Sequence, residues 1–349
     1  MYNEVKRPYI SLDLGTSNIL AYVSGQGIVY DEPSLMAYDI RTNKLVASGS
    51  AAYEMMGKTN DEIRMVTPLV DGVISDLDAT KDLLNHIFNR LKMMNFWKSS
   101  IVLLACPSGV TELERDALKL VAKGMGASLV VIEEEVKMSA VGAGLNVELP
   151  QGHLVIDIGG GTTDIAIISA GEIVVSRSAK VAGKYFNDEI LKYIRSEYNV
   201  SIGIVTAEKV KKTIGSLVKY PNERSIQIYG RDIVSGLPKE AKIGSEEIRN
   251  VLLSAFSKIT DVVIEVMENT PPELAGDIMR NGIMLCGGGA LIRNIDKYFF
   301  DIFQLPTKIA ADPLSCVIEG TKAYEKVVLR HIEEGMYVDQ QKTYLEGLK

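Results

Sequence analysis

Two short segments of the chain share an order of residue types that is suited to binding a polyphosphate. The first runs from Ile10 to Asn18 and the second from Val155 to Asp164. In each, an apolar strand pattern leads into Asp, then Gly, then hydroxyl side chains. Glycine allows a tight hairpin whose backbone N–H groups point at an anion, and the hydroxyls add donors. A matched pair of such loops predicts a duplicated nucleotide-binding domain.

The aspartates of the two loops, Asp13 and Asp157, can hold a hydrated divalent cation. Three further segments carry residue types that could complete such a site. The first is a glycine run that follows an apolar strand pattern and precedes a predicted helix, whose N-terminus would favour an anion. That run consists of Gly287, Gly288 and Gly289.

The second of these segments is a charged helical face, and the third is an acidic strand end. Glu208, Lys211 and Lys212 share one face through their i, i+3 and i+4 spacing. They could bind a ribose and a base, but a solvated salt-bridge face is the stronger interpretation of that segment alone. Glu135 ends an acidic turn after a buried strand, where a carboxylate can orient water for attack on a γ-phosphate. In isolation such a turn is more often only solvated.

Composition restricts the class of protein. The 349 residues suffice for two domains, with 46% hydrophobic and 24% charged residues and a mean hydropathy of +0.09. A net charge of −7 argues against nucleic-acid binding by bulk electrostatics. No apolar run reaches the length of a spanning helix, and the first seven residues lack the apolar core of a signal peptide, so we expect a cytoplasmic protein. The three cysteines are interpreted as reduced core residues.

Strand and helix patterns alternate in two halves, which predicts two α/β domains with a cleft between them. A capping box at Thr111 and Glu114 starts one helix, for which we predict an apolar face of Leu113, Ala117, Leu120 and Val121. A long amphipathic helix is predicted over 245–268. Within 181–245 the pattern predicts a helix from Thr206 and separate strands at 226–229 and 231–234.

Taken together, these motifs resemble the superfamily of actin, chaperone and sugar-kinase ATPases. In chain order they read DLGTSN, DGVISD, a Glu-rich turn, DIGGGTTD, TAE-x-x-K and CGGGALI. Over essentially the full length, including GRDIVSGLP at 230–238, the chain is similar to the MreB family of bacterial actins. The resemblance implies an actin-like ATPase fold: two duplicated α/β domains, each with a small inserted subdomain, and nucleotide in the cleft between them. The implied division is IA (1–31 and 76–140), IB (32–75), IIA (141–180 and 246–334), IIB (181–245) and a flexible C-terminal tail (335–349).

The same resemblance implies roles for individual residues. Asp13 and Asp157 would surround Mg²⁺, partly through water, and Glu135 would position the attacking water with Thr162. Glu208, Lys211 and Lys212 would bind the ribose and adenine of ATP or ADP, with Gly287 to Gly289 behind. The residues implied to bind phosphates are Gly15, Thr16, Ser17, Asn18, Gly159, Gly160, Gly161, Thr162 and Thr163.

One departure from the family pattern lies beside the implied catalytic glutamate. Relatives usually carry Glu-Pro followed by small residues, whereas Glu135 precedes Val136 and Lys137. Without Pro the backbone is less restricted, and Lys137 is expected to add charge near the attacking water. We therefore expect slow ATP hydrolysis. Departures of this kind resemble those in the divergent MreB copies of wall-less bacteria.

The family resemblance also implies partners. It implies head-to-tail filaments, single or paired, at the inner face of the cell membrane, with other cell-shape proteins as partners and a role in cell shape or, without a wall, in motility. The membrane candidate is an apolar cluster of Met93, Met94, Phe96 and Trp97. This cluster could enter a bilayer or could pack beneath the preceding helix, and the sequence leaves both open.

Other functions of the same fold remain as alternatives. A small-molecule (sugar-type) kinase would need a catalytic Asp base and a sugar pocket, which Glu135 and the short 32–75 insertion fit poorly. A chaperone would need a peptide-binding domain after the last ATPase helix, predicted over 315–334. An adaptor with an actin fold that recruits partners is a weaker cytoskeletal variant.

Overall fold

A computed structural model describes residues 7–71, 73–90, 100–107, 110–124 and 126–335 of the chain. The polypeptide divides into two compact units. The first comprises Met1–Asn146 and Ser315–Lys349, and the second comprises Val147–Leu314. Each unit has a hydrophobic core of its own, and each is described separately below.

The described part of the first unit is built on a five-stranded sheet of order β10-β9-β1-β2-β3. Its strands are β1 (Tyr9–Leu14), β2 (Asn18–Val23), β3 (Gly27–Pro33), β9 (Ile101–Cys106) and β10 (Leu129–Glu134). The strands β1, β9 and β10 run parallel, and β1 to β3 form an antiparallel meander. All residues of β9 are buried, as its continuous apolar pattern predicts for a strand covered on both faces. The antiparallel pairing of β1 with β2 confirms the first predicted hairpin, which is the connection between these two strands.

A segment with small sheets of its own follows β3. It contains β4 (Met36–Asp39), β5 (Leu45–Ser48), α1 (Gly49–Met55), β6 (Ile63–Val66), β7 (Leu69–Val70) and β8 (Val73–Ile74). The first three longer strands pair in the order β5-β4-β6, and the last two form their own antiparallel pair. A small cluster that includes Leu35, Ala37 and Ala52 forms its core.

Helices cover the sheet of the first unit. They are α2 (Leu77–Arg90), α3 (Glu112–Gly124), α4 (Glu135–Gly142), α10 (Cys316–Ala323) and α11 (Glu325–Glu333). The predicted face of α3 is wrong in part, because Leu113 and Leu120 are 82% and 70% exposed. The buried residues of α3 are Leu118, Val121 and Ala122, because the helix rests on the sheet with the stripe one residue further along.

The grouping of α10 and α11 differs from the predicted division, which placed 141–146 and 315–334 in subdomain IIA. Both stretches belong to the first unit. The hydroxyl of Tyr9 in β1 donates to the carbonyl of Thr321 at 2.7 Å, and Thr321 donates to Ser11 at 2.7 Å. The chain crosses back after 314 because α10 buries its apolar and small residues on β1 and α4. The finer division into four subdomains stays a prediction.

The second unit repeats the sheet plan with the order β13-β12-β11-β17-β18. Its strands are β11 (His153–Ile158), β12 (Thr163–Ser169), β13 (Glu172–Ala179), β17 (Ile283–Cys286) and β18 (Thr307–Ile309). The order corresponds to that of the first unit, with an antiparallel meander of three strands and parallel strands beside the first. This correspondence is the duplication that the two matched loops predict.

A second insertion carries the sheet β14-β15-β16. Its strands are β14 (Val200–Ser201), β15 (Ser225–Asp232) and β16 (Pro238–Gly244). The two strands predicted at 226–229 and 231–234 are instead one continuous strand, β15, which passes through Gly230. Gly230 lies so close to the backbone of Ser201 that a larger residue would meet its carbonyl, so here glycine serves strand pairing and not a turn.

The helices of the second unit surround these sheets. They are α5 (Gly183–Tyr198), α6 (Ile204–Ile214), α7 (Ser245–Glu268), α8 (Pro272–Asn281) and α9 (Ile295–Phe303). The predicted long helix is α7, and Phe256 at its centre stacks on Phe186 with ring centroids 5.0 Å apart. Cys106, Cys286 and Cys316 are buried, as predicted for core residues. Among the described residues, no helix combines the length and apolar character that a membrane crossing requires.

Candidate nucleotide-binding site

The first predicted phosphate loop is the tight connection between β1 and β2. A side chain at Gly15 would place its Cβ 2.5 Å from the carbonyl oxygen of Asn18, so only glycine permits this close turn. Thr16 is half-buried, whereas Ser17 and Asn18 are exposed. The amide of Asn18 donates to Asp31 at 3.1 Å, and the carbonyl of Ser17 accepts from the N–H of Ser34 at 2.8 Å. Neighbouring residues therefore hold this loop in shape.

The second predicted phosphate loop connects β11 and β12. The N–H of Gly159 donates to the carbonyl of Thr162 at 2.9 Å and closes the hairpin. Gly159 and Gly160 are half-buried, while Gly161 and Thr162 are buried. The hydroxyl of Thr163 donates to the carbonyl of Val181 at 2.7 Å. That hydroxyl fixes the loop to the following segment, which differs from the expected role of a phosphate donor.

The start of α5 supports this second loop from behind. The N–H of Gly183 donates to the carbonyl of Gly159 at 3.1 Å, and the N–H of Lys184 donates to the carbonyl of Gly160 at 2.8 Å. In a trans peptide the N–H points opposite to the C=O. Because these two carbonyls point at α5, the N–H groups of the same peptides are oriented away from it. The sequence pattern did not indicate this support, since backbone contacts of a distant helix leave no residue signature.

Helix α6 joins the same arrangement through Lys211. Its Nζ donates to the carbonyl of Gly183 at 2.9 Å. Burial lowers the pKa of Lys211 to about 8, although the nearby carboxylate of Glu208 opposes the shift. Lys212 forms the predicted i, i+4 pair with Glu208 at 2.7 Å and is itself largely exposed. The helical face is thus divided, because Lys212 pairs on the surface while Lys211 reaches the support of the phosphate loop.

The glycine run Gly287 to Gly289 lies against the second loop. Strand β17 pairs in parallel with β11, so Cys286 lies opposite Asp157. Gly287 has φ +77°, and a Cβ there would lie 2.3 Å from Oδ1 of Asp157. The expected helix start after the run is wrong, because Gly288–Leu291 form only one turn of 3₁₀ helix. The run therefore contributes close backbone approach and no helix N-terminus.

The two aspartates implied to surround a cation are both buried at strand positions. Asp13 is 8% exposed and Asp157 is 6% exposed. Asp157 lies opposite Asp164 in the hairpin register, and Asp164 is 2% exposed. Asp164 had no assigned role in the sequence, although the symmetric positions of the two aspartates around the glycines could have indicated the pairing.

This donor set fits Mg²⁺. Carboxylate oxygens are hard ligands, and Mg²⁺ typically uses one or two of them together with water and phosphate oxygens. Among the described residues, no group of three or more His, Cys, Asp or Glu side chains forms a protein-only metal cage. Asp13 or Asp157 would hold the cation, whose charge would offset that of the phosphates.

Glu135 occupies a different position from the expected acidic turn. Glu133 and Glu134 are the last residues of β10, and Glu135 is the first residue of α4, so strand and helix join directly. Glu135 is half-buried. Lys137 is buried and lies 3.4 Å from Glu133, so its ammonium is paired within the first unit and is not an uncompensated charge beside Glu135.

The expected membrane residues Met93, Met94, Phe96 and Trp97, and the tail from 336, lie outside the described residues.

Comparison with known proteins agrees with this arrangement of motifs. A family model described as MreB/Mbl protein matches residues 7–333. The cell shape-determining protein Mbl of Bacillus subtilis is 41% identical over 312 residues, which cover 89% of this chain and 94% of the relative. The cell shape-determining protein MreB of Escherichia coli is 40% identical over 326 residues, covering 91% and 93%.

Solved structures extend the comparison to the fold. The crystal structure of MreB5 of Spiroplasma citri, a wall-less bacterium, bound to AMPPNP is 77% identical, with a TM-score of 0.93 and coverage of 95% of this chain and 99% of that one. A MamK double helical filament is 20% identical, with a TM-score of 0.75 and coverage of 91% of this chain and 99% of that one. At this identity the likeness concerns only the fold. The chain therefore belongs to the MreB/Mbl family of cell shape-determining proteins and has the actin-like fold of that family.

Proposed function

We propose that the protein binds ATP and ADP with Mg²⁺ through the phosphate loop of each unit. The observation that carries the proposal is the pair of matched hairpins, each with a buried aspartate at its strand end. Support comes from the 77% identical MreB5, which was crystallised with AMPPNP and with ADP. Thr16, Ser17, Asn18 and the backbone of Gly160 to Thr162 donate to phosphate oxygens, while Glu208, Lys211 and Lys212 contact the ribose and adenine.

We further propose that the bound ATP is hydrolysed slowly. The Glu135 carboxylate would accept a hydrogen bond from a water and align that water with the γ-phosphorus, with help from Thr162. The water oxygen bonds to phosphorus as the bond to the bridging oxygen of ADP breaks. Asp13 and Asp157 would hold Mg²⁺, partly through water, and the ion would supply neutralising charge. Because Glu135 begins a helix, its backbone position is set by the β10–α4 junction.

At the level of the cell, we propose ATP-dependent head-to-tail filaments at the inner membrane surface that determine cell shape, or movement in a host without a wall. A heterologous contact that does not close produces such open polymers. The relatives named for cell shape and the filament formed by MamK support this assignment. Single and paired protofilaments are both compatible with it.

A combined assay tests hydrolysis and assembly. Phosphate release and sedimentation are measured in the same samples with ATP and Mg²⁺, for wild type, Glu135→Ala and a control, Glu172→Ala. Glu172 is an exposed glutamate at the start of β13. Glu135→Ala should release phosphate about 100-fold more slowly while filaments still form, and Glu172→Ala should match wild type.

Three results would contradict parts of the proposal. No ATP-dependent pelleting at any protein or salt concentration would refute the polymer. Unchanged phosphate release in Glu135→Ala would refute the role of Glu135. Phosphate transfer to an added sugar in place of water would favour the small-molecule kinase.

A further inference from the structure

A buried ion pair spans the junction at which Glu135 lies. Lys137 is the third residue of α4 and is 6% exposed. Its Nζ lies 3.4 Å from Oε2 of Glu133, which belongs to β10, and both side chains are largely removed from solvent. The pair therefore connects the last part of the strand to the first turn of the helix, with Glu135 midway between the two partners.

The first turn of α4 lacks a side-chain cap. Glu134 is the N-cap residue, and its side chain makes no capping hydrogen bond. Val136 follows Glu135 where a proline would have fixed φ. Besides the packing of α4 on α10, side chains that reach across the junction contribute to the direction in which α4 leaves the strand, and the Lys137–Glu133 pair is such a contact.

The ammonium of Lys137 has a second neighbour. Its Nζ lies 5.2 Å from the centroid of the Tyr324 ring, a cation–π arrangement. Tyr324 directly follows α10, and α10 is tied to β1 by the hydrogen bond from Tyr9 to Thr321. Lys137 thus has an anionic partner on the sheet and an aromatic partner on an element that is itself anchored to the sheet.

A second cation holds the neighbouring carboxylate. Arg115 of α3 lies 3.6 Å from Oε1 of Glu134, and both side chains are mostly buried. Of the three consecutive glutamates, Glu133 and Glu134 are therefore each paired with a cation, and the two cations come from different helices. This pairing fixes the rotation of the strand end and so the direction in which Glu135 projects.

We propose that Lys137 is a positioning residue that acts through Glu133 to hold the Glu135 carboxylate in its hydrolytic position. The inference rests on the proposed hydrolysis by Glu135. It replaces the expectation that Lys137 perturbs the attacking water by its charge. Lys137 contributes order to the junction.

The test compares four variants with wild type. Lys137→Met removes the ammonium, Lys137→Arg keeps the charge, and Lys137→Met with Glu133→Gln removes both charges so that no unpaired charge remains buried. Lys192→Met is the matched control, because Lys192 forms an exposed ion pair with Glu189 at 2.7 Å on α5. For each protein, kcat, the Kd for AMPPNP with Mg²⁺ and amide hydrogen exchange over 135–139 are measured.

Lys137→Met and the double variant should both lower kcat about tenfold, with the Kd for AMPPNP within about twofold of wild type. Amide exchange at 135–139 should accelerate about tenfold in both. Lys137→Arg should recover most of the lost kcat, and Lys192→Met should equal wild type in every measurement.

Other outcomes would overturn the proposal in distinguishable ways. If the double variant retained wild-type kcat, the pair would only neutralise its own charges and would not position Glu135. Unchanged exchange over 135–139 in Lys137→Met would show that the pair does not hold the junction. If wild type itself released no phosphate, the proposed hydrolysis would fail. Amide exchange over 135–139 in Lys137→Met, whether unchanged or accelerated, would still decide whether Lys137 orders α4.

Discussion

Individual side chains at the phosphate loops divide into those that support the loops and those that remain available to a ligand. The hydroxyl of Thr163 is bonded to Val181, and the amide of Asn18 is bonded to Asp31. Ser17 is exposed, and the N–H groups of Gly160 and Gly161 face away from α5. Phosphate binding therefore depends more on backbone donors than the density of hydroxyl residues indicates.

Burial brings the titration of Lys211 close to neutral pH. With a pKa of about 8, caused by burial, it is charged below that pH and neutral above it. Loss of this charge removes an attraction for the nucleotide anion worth about 1 kcal/mol. Raising the pH from 7 to 9 should therefore weaken ADP binding about fivefold.

Calorimetric titration at a series of pH values measures this effect, with Lys211→Met as the comparison. The variant should bind more weakly at pH 7 and show a smaller change with pH. Lys192→Met is the control, because Lys192 is exposed and paired with Glu189 outside the proposed site. An identical pH dependence in Lys211→Met and wild type would assign the titration to another group.

Among the elements, helix α3 shows how a helix start is encoded more locally than a buried face. The N–H of Thr111 donates to Glu114 at 2.8 Å, and the N–H of Glu114 donates to Thr111 at 3.4 Å. This is the capping box that the sequence predicts. The apolar face was misassigned because Leu113 and Leu120 are exposed, and only the direction of the sheet decides which stripe is covered.

Removing the cap should destabilise the first unit. Thr111→Ala takes away the acceptor for an otherwise unpaired helical N–H, so the free energy of unfolding should fall by about 1 kcal/mol. Urea unfolding followed by circular dichroism gives the value. Thr213→Ala, which removes a hydroxyl bonded to Lys209 inside α6 and no cap, should change stability less. Equal losses in the two variants would indicate that the cap contributes nothing specific.

The molecule as a whole consists of two units that repeat one sheet plan. Each unit places a phosphate hairpin between the first two strands of its meander and adds an inserted segment of its own. A ligand bound only by the folded state stabilises it in proportion to its concentration and affinity. Nucleotide binding should therefore be visible as added stability.

At about 100 times its Kd, ADP with Mg²⁺ should raise the free energy of unfolding by about 2.7 kcal/mol. Chelation of Mg²⁺ should reduce this gain, because the phosphate charges then face Asp13 and Asp157 without a cation. Asp157→Asn should make the gain less dependent on Mg²⁺. Thermal unfolding with ADP, in the presence of Mg²⁺ or EDTA, measures both effects. The same gain with EDTA would contradict a cation held by these aspartates.

The sequence alone determined the features that depend on local residue order. The two hairpins, the capping box and the long helix α7 followed from glycine positions, helix-start chemistry and apolar periodicity, all of which act over a few residues. These are interactions between neighbours in the chain, so the local order of residues is enough to predict them. The family followed from the resemblance that the separated motifs carry.

Only the tertiary structure decided features that join distant residues. It placed 315–334 with the first unit, made 225–232 one strand, directed Lys211 to Gly183 and paired Lys137 with Glu133 across a strand–helix junction. Each outcome depends on which surfaces become buried and which charges need partners there. That competition between desolvation and packing is settled by the whole fold, because no short stretch of sequence specifies what will lie opposite it.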